Sequence, residues 1–251
     1  MTVEAAVKER YAEGAACRQE SLCCPVSYDS SMLEILPQEI IDKDYGCGNP
    51  SLYVHRGDVV LDLGSGGGKI CYIAAQIVGD QGRVIGIDMT DEMLALARRY
   101  QSPMAEKLGY ANVEFHQGFI QDVASIVAAE TVDIVISNCV LNLVAEQDRR
   151  KMIAGIFSVL RPGGRLAIAD IVCEETVPES MKQDPQLWSG CISGAFQKEA
   201  FLQAFTDAGF LDARYDDWQA EAWQEVQGLK FYSATVCAVK PDGESNKSNC
   251  C

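Results

Sequence analysis

The chain has 251 residues, 48% of them apolar, and carries 36 acids against 21 lysines and arginines for a net charge of −15. That length holds one large α/β core, and the charge opposes the counterion release that rewards nucleic-acid binding, so a nucleic acid or other polyanion is excluded as partner. No apolar run reaches the roughly 18 residues of a membrane span, and Met1 to Arg10 lacks the basic-then-apolar order of an export signal, so a soluble, cytoplasmic protein with no membrane partner is expected.

Residues 1–58 carry Cys17, Cys23, Cys24 and Cys47 among helical and turn signals, with Pro25, Pro37 and Pro50 as punctuation, and read as a preamble or lid. A core domain then spans 59–240. Val59, Val60, Leu61 and Leu63 make its first strand, with Asp62 near the mouth, and Gly64, Gly66, Gly67 and Gly68, broken by Ser65, let the backbone turn sharply. Ile70, Ile73, Ala74 and Ile77 recur at helical spacing, and Arg83 to Ile87 forms a second strand ending at Asp88, a carboxylate placed to accept hydrogen bonds from ribose hydroxyls. This is the opening βαβ unit of a nucleotide-type cofactor site. The glycine turn also admits a dinucleotide, because such a turn opening a helix serves pyrophosphate as well.

A helix after Thr90 shows Met93, Leu94, Leu96 and Ala97 on one face, followed by strands at Val113–His116 and Asp133–Ser137. A further helix from about Glu146 to Leu160 stops at Arg161-Pro162-Gly163-Gly164, and Arg165 to Ala169 supplies the fifth strand. Asp170 to Phe196 reads as a variable segment. A helix from about Lys198 to Ala208 precedes strand-like runs at Leu211–Tyr215 and Phe231–Val239, which suggest a terminal hairpin. The expected fold is α/β: a Rossmann-like doubly wound sheet of about seven strands, mostly parallel with an antiparallel terminal hairpin. Residues 241–251 read as a polar, disordered tail ending in Cys250-Cys251.

Eleven cysteines in a chain of this kind do not read as a disulfide scaffold, and no Cys-x-x-Cys pair has zinc spacing. Five parallel strands, the glycine turn within LDLGSGGG, the acid after the second strand and the closing antiparallel pair resemble the class I S-adenosylmethionine-dependent methyltransferases. Asp62 inside its strand, joined to a Pro-Gly-Gly turn before the fifth, is uncommon among dehydrogenases. Within that superfamily, Tyr45-Gly46-Cys47-Gly48, Ser137-Asn138-Cys139-Val140-Leu141-Asn142-Leu143 and Gly190-Cys191-Ile192-Ser193-Gly194-Ala195 resemble the arsenite methyltransferases, and the likeness runs from about Cys23 to Lys240. The resemblance implies S-adenosylmethionine as cofactor and trivalent arsenic held by Cys47, Cys139 and Cys191. It places Asp88, Met89 and Thr90, with Lys69 to Tyr72, in the cofactor half. It also implies an upstream cysteine that pairs with Cys47 during turnover, for which Cys23 and Cys24 are the candidates. One departure is Ser189-Gly190-Cys191, where the family commonly has Gly-Glu-Cys.

The chemistry agrees, because trivalent arsenic is soft and is satisfied by three sulfurs in a pyramid with a lone pair at its apex. All three cysteines fall beside the strand ends where the cofactor is expected. Of the cofactor residues, Gly64, Ser65 and Gly66 form the turn, Asp88 takes the ribose, and Asp62 is structural or an amine partner. Ile120 and Phe119 flank an adenine, Tyr45 covers the cofactor, and Asn138 orients it or shapes the pocket. Cys71, Cys173 and Cys237 read as small buried apolar residues, and His55 and His116 show no ligand spacing. The expected activity is methylation of arsenite and methylarsenite by a monomer, with arsenic delivered as a thiol complex and a reductant of the glutathione or thioredoxin type. The alternatives are a methyltransferase acting on a small organic oxygen, nitrogen or carbon, and a non-catalytic thiol protein that binds metalloids.

Overall fold

Apolar runs rich in Val, Ile and Leu form the centre of a single sheet in the computed structural model, which describes residues 3–17 and 26–243. Before the sheet come α1 (Val3–Ala16), α2 (Ser30–Leu33), α3 (Gln38–Asp42) and a 3-10 turn at Pro50–Tyr53. The first half of the sheet then alternates as β1 (Val59–Leu63), α4 (Lys69–Val78), β2 (Arg83–Asp88), α5 (Asp91–Arg99), α6 (Gln101–Leu108) and β3 (Val113–Gln117). The second half runs α7 (Val123–Ile126), β4 (Val132–Asn138), α8 (Glu146–Val159) and β5 (Leu160–Cys173). Two short helices follow, α9 (Glu179–Lys182) and α10 (Pro185–Ser189), then β6 (Phe196–Gln197), α11 (Lys198–Asp207), β7 (Leu211–Trp218), β8 (Gln224–Val226) and β9 (Leu229–Val239).

Strand order is β3-β2-β1-β4-β5-β9-β7, with β6 beside β5 and β8 beside β9. Strands β1 to β5 pair in parallel, and β9 lies antiparallel between β5 and β7. The expected doubly wound sheet with a closing antiparallel pair is therefore present. The chain winds outward through β2 and β3 on one side of β1 and through β4 and β5 on the other, so the crevice of the switch point opens at the carboxyl ends of β1 and β4. Successive residues of the central strands feed opposite faces. Leu61, Leu63, Ile85, Ile87 and Val135 meet α8 and the phenylalanines Phe201, Phe205 and Phe210. Val60, Val84, Ile134 and Ile136 meet Ile70, Ile73, Leu94 and Met104 on the other face. Each such side chain contributes about 1.5–3 kcal/mol when fully buried.

Three details differ from the expectation. Helix α8 ends at Val159, and Leu160 already pairs with Val132 before an irregularity in register leads to Arg165. Strand β5 continues through Asp170 to Cys173, because antiparallel pairing with Ser233, Tyr232 and Phe231 carries it on. The rest of the segment expected to be variable folds into α9, α10 and β6. Cys71, Cys173 and Cys237 are buried, as expected. Cys23, Cys24 and the Cys250-Cys251 tail lie outside the described residues, within which no helix is long and apolar enough to cross a membrane.

Candidate active site

The cofactor end is built by the turn after β1. Gly64 adopts φ +74°, and its N–H and that of Ser65 both donate to Ile87 O at 2.8 and 2.9 Å, folding the turn over the end of β2. A side chain at Gly64 has no room, because its Cβ would lie 2.4 Å from Val140. Gly66 N–H donates to Asp88 Oδ2 (2.9 Å) and Thr90 N–H to Asp88 Oδ1 (2.8 Å). Burial pushes the Asp88 carboxyl upward, and these N–H groups oppose the rise. Beside it, Asp62 accepts from the Cys71 thiol (3.2 Å), and burial raises its pKa to about 7.

A cleft of about 1000 Å³ runs from this turn toward the end of β4. Tyr45, Asp62, Gly64, Ser65, Gly66, Asp88, Met89, Ile120 and Asn138, the residues expected around the cofactor, all line it. The sequence reading missed several more. Val7 and Tyr11 of α1 form part of its wall, as does Asp44, which pairs (2.8 Å) with Lys69, a residue that the resemblance had placed in the cofactor half and that lies 3.7 Å from the centre of the Tyr28 ring. Helix α1 shows too few apolar positions to announce a face.

At the inner end stand the thiols. Cys139 follows β4 directly, with φ +64° and its N–H on Ala169 O (2.8 Å). Cys47 sits in the turn after α3, where its N–H and that of Gly48 donate to Asn138 Oδ1 (2.8 and 3.0 Å) and its carbonyl accepts from Ser233 Oγ (2.6 Å). Cys191 follows α10, also at φ +64°, and its thiol donates to Cys139 O at 3.4 Å. All three are buried in one apolar wall with Leu143, Ile171, Trp188, Ile192 and Phe231, and Cys139 faces the cleft. Cys47 Sγ and Cys139 Sγ lie within 4.8 Å of each other, whereas Cys191 stands outside that close group and reaches Cys139 through its carbonyl; interaction with Cys191 and Cys47, and then burial, holds the Cys139 pKa far above the ordinary value. Burial also raises Cys47. Both thiols are therefore protonated at neutral pH.

Asp170, near the end of β5, was not singled out from sequence, although it breaks an apolar run just as Asp62 and Asp88 do. One of its carboxylate oxygens, Cys47 Sγ and Cys139 Sγ all lie within 4.8 Å of one another. Its oxygens accept from Ile171 N–H (2.8 Å), Asn142 Nδ2 (2.8 Å) and Asn142 N–H (3.2 Å). Burial raises its pKa to about 6 against these bonds.

Comparison with known proteins identifies the fold and the family. Residues 54–209 match the family model described as a methyltransferase domain. An arsenite methyltransferase of Aquipseudomonas alcaligenes is 36% identical over 89% of this chain and 67% of its own length. The crystal structure of an arsenic(III) S-adenosylmethionine methyltransferase from Chlamydomonas reinhardtii superposes with a TM-score of 0.78 at 32% identity, covering 88% of this chain and 76% of that one. The chain belongs to the arsenite methyltransferase family. It spans only 51% of the Halobacterium salinarum member, to which it is 40% identical, and 57% of the mouse one. A phosphoethanolamine N-methyltransferase of Haemonchus contortus, at 19% identity and a TM-score of 0.60, shares the fold.

The cofactor of the family is S-adenosylmethionine, and the residues of the cleft fit it. Ser65 Oγ is buried without a hydrogen-bond partner among the described residues, and the space beside Gly66 is open. Asp88 suits a ribose, Met89, Phe119 and Ile120 an adenine, and Asp44, Asp62 and Lys69 a zwitterionic amino-acid end.

Proposed function

We propose that this protein methylates trivalent arsenic, taking arsenite or methylarsenite from a thiol complex onto Cys47, Cys139 and Cys191 and drawing the methyl group from S-adenosylmethionine. The observation that supports this reading is the placing of three buried cysteines, from three separate loops, in one apolar wall that meets the cofactor cleft at Cys139. Soft thiolate sulfur is the ligand that a soft metalloid selects. The bound donor supplies an electrophilic methyl on a sulfonium. Everything else is the work of the chain. Asp88 and the Gly64–Gly66 turn would hold the adenosine, and Asp62 and Asp44 would take the amino group.

Because Cys47 and Cys139 are held protonated, their bonds to arsenic form by exchange. The cysteine sulfur replaces a carrier thiol on arsenic, and the cysteine proton leaves with the departing thiolate. Asp170 offers an acceptor for that proton on its way out. The metalloid brings its own lone pair as nucleophile and no proton, so no further base is required. Leu143, Ile171, Trp188 and Phe231 exclude water around the sulfurs, and fixing both reactants in one orientation is worth up to about 7–11 kcal/mol of barrier. Methylation formally oxidises arsenic by two electrons, and a thiol reductant of the glutathione or thioredoxin type returns them, with Cys23 or Cys24 as candidate relays.

The test is serine at each of the three positions. Each variant is expected to lose arsenite methylation, followed by arsenic speciation, and to keep the heat of cofactor binding. Arsenite is also expected to quench Trp188, which stands in the thiol wall. Methylation retained by all three variants would refute the reading.

A further inference from the structure

Two asparagines flank the central thiol, Asn138 directly before Cys139 and Asn142 three residues after it. The amide of Asn138 is occupied by the turn that carries Cys47: Oδ1 accepts from Cys47 and Gly48 N–H, and Nδ2 donates to Gly48 O (2.8 Å). Asn142, fully buried, makes the corresponding connection on the other side. Its Oδ1 accepts from Phe196 N–H (3.3 Å), and its Nδ2 donates to Asp170 Oδ1 (2.8 Å) and Ile171 O (2.5 Å). Arg149 Nη2 then bridges Asn142 O (3.3 Å) to Gly194 O (2.7 Å), three residues beyond Cys191.

Each asparagine also meets a glycine with no room for a side chain, Gly46 at the Asn138 amide and Gly194 at the main-chain carbonyl of Asn142. A Cβ at Gly46 would lie 2.0 Å from Asn138 Nδ2, and one at Gly194 would lie 1.9 Å from Asn142 O. Cys139 and Cys191 both hold left-handed backbone, a conformation that persists only when the surroundings over-determine it.

We propose that Asn138 and Asn142 are paired positioning residues that set the spacing of the three thiols, Asn138 tying the Cys47 turn, and Asn142 the Cys191 segment, to the backbone around Cys139. The proposal rests on the reading of the three thiols as arsenic ligands. It gives the two asparagines distinct effects: losing one tether releases one outer thiol and leaves the other two in place. Arsenite, which takes three sulfurs, then suffers more than methylarsenite, which has two positions left for sulfur.

The experiment uses the full reduced chain without cofactor. Arsenite is titrated in, the free thiols are alkylated with a maleimide, and the labelled cysteines are identified by peptide mass. In the wild type, arsenite is expected to protect Cys47, Cys139 and Cys191. Asn138→Ala is expected to leave Cys47 labelled, and Asn142→Ala to leave Cys191 labelled. The arsenite needed for half-protection rises about 10- to 100-fold in each, the range seen when groups that orient metal ligands are removed, while that for methylarsenite changes less. Calorimetry with S-adenosylmethionine reports that Asn142→Ala is folded. As a second route, Asn142→Asp sets a carboxylate against Asp170, and adding Asp170→Asn restores a donor–acceptor pair and with it part of the Cys191 protection. Wild-type thiols that arsenite does not protect would overturn the arsenic reading itself. Protection unchanged in both alanine variants, or lost equally at all three cysteines, overturns the tethers alone.

Discussion

Cys139 and Cys191 share a backbone conformation that side chains avoid, whereas Cys47 is not among the described residues with positive φ. A residue with a Cβ pays about 1–2 kcal/mol in the left-handed region, and glycine pays none of it. Replacing each cysteine by alanine and by glycine isolates that strain. The glycine-minus-alanine stability difference at 139 and 191 is expected to be more favourable than at 47 by about 1–2 kcal/mol, measured by denaturant unfolding; equal differences at the three sites would show that no strain is held there. A second residue-scale effect follows from Asp62, raised by burial to about 7 from an ordinary 3.8. The folded chain keeps a proton that the unfolded chain gives up, so this carboxyl makes stability fall as pH climbs from about 4 to about 7 and adds nothing further above that. Asp170, at about 6, acts in the same direction but is exhausted sooner. Asp62→Asn is therefore expected to flatten the upper part of the decline, between about pH 6 and 7, in melting temperatures of the cofactor-free protein. An undiminished slope there would place the titrating group elsewhere.

At the scale of elements, α1 is a cover held by few apolar contacts. Val7 and Ala15 are its buried apolar side chains, Tyr11 packs edge-on against Tyr45 and beside the thiol wall, and polar ties run from Lys8 to Asp91, from Arg10 to Ser189, and from the Tyr45 hydroxyl to Gly14 O. A helix of 14 residues is marginal in water without tertiary packing, so α1 is expected to open readily. S-adenosylhomocysteine is expected to slow amide exchange across 3–16 far more than across β1 or β4, which are buried on both faces; equal protection would make α1 a fixed part of the scaffold. The same contrast explains what could be read in advance. β1, β2 and β4 are continuous apolar runs because parallel central strands are covered on both sides, and α5 and α8 bury evenly spaced stripes, so these elements and the cleft-lining residues between them were legible. Helix α1 buries its residues against a site instead of a sheet, and β5 passes through a carboxylate whose bonds come from Asn142 and Ile171; neither leaves a periodic trace. The positions of the three thiols were legible only through resemblance, since pairing across the sheet, and not spacing along the chain, brings them together. Asn142 stood inside a quoted motif, but its partners are remote in sequence.

The whole molecule carries net charge −15, and the cleft repeats the sign. Lys43 and Lys69, the cations along its wall, are each matched by an acid, Glu39 and Asp44, while Glu4, Asp62 and Asp88 line it as well. The outer edge strand β7 adds Asp212, Asp216 and Asp217, charges that discourage edge-to-edge pairing, in keeping with the proposal of a monomer, which sedimentation at low and high protein concentration would check. This field bears on how the substrate arrives. A peptide thiol such as glutathione is anionic at neutral pH, and several on one arsenic atom multiply that charge. A complex formed with a neutral dithiol such as dithiothreitol does not. Repulsion between an anionic protein and an anionic carrier slows encounter, and salt screens it once the Debye length shrinks to about 10 Å near 0.1 M. The rate of Trp188 quenching by the glutathione complex is therefore expected to rise as salt is added from low ionic strength, while the rate for the dithiothreitol complex stays flat. The two carriers differ in more than charge, so the slope against ionic strength, and not the absolute rate, carries the comparison. A glutathione complex whose rate falls with salt would mean that the cations at the mouth outweigh the acids around them, and that the cleft attracts its anionic carrier against the charge of the whole.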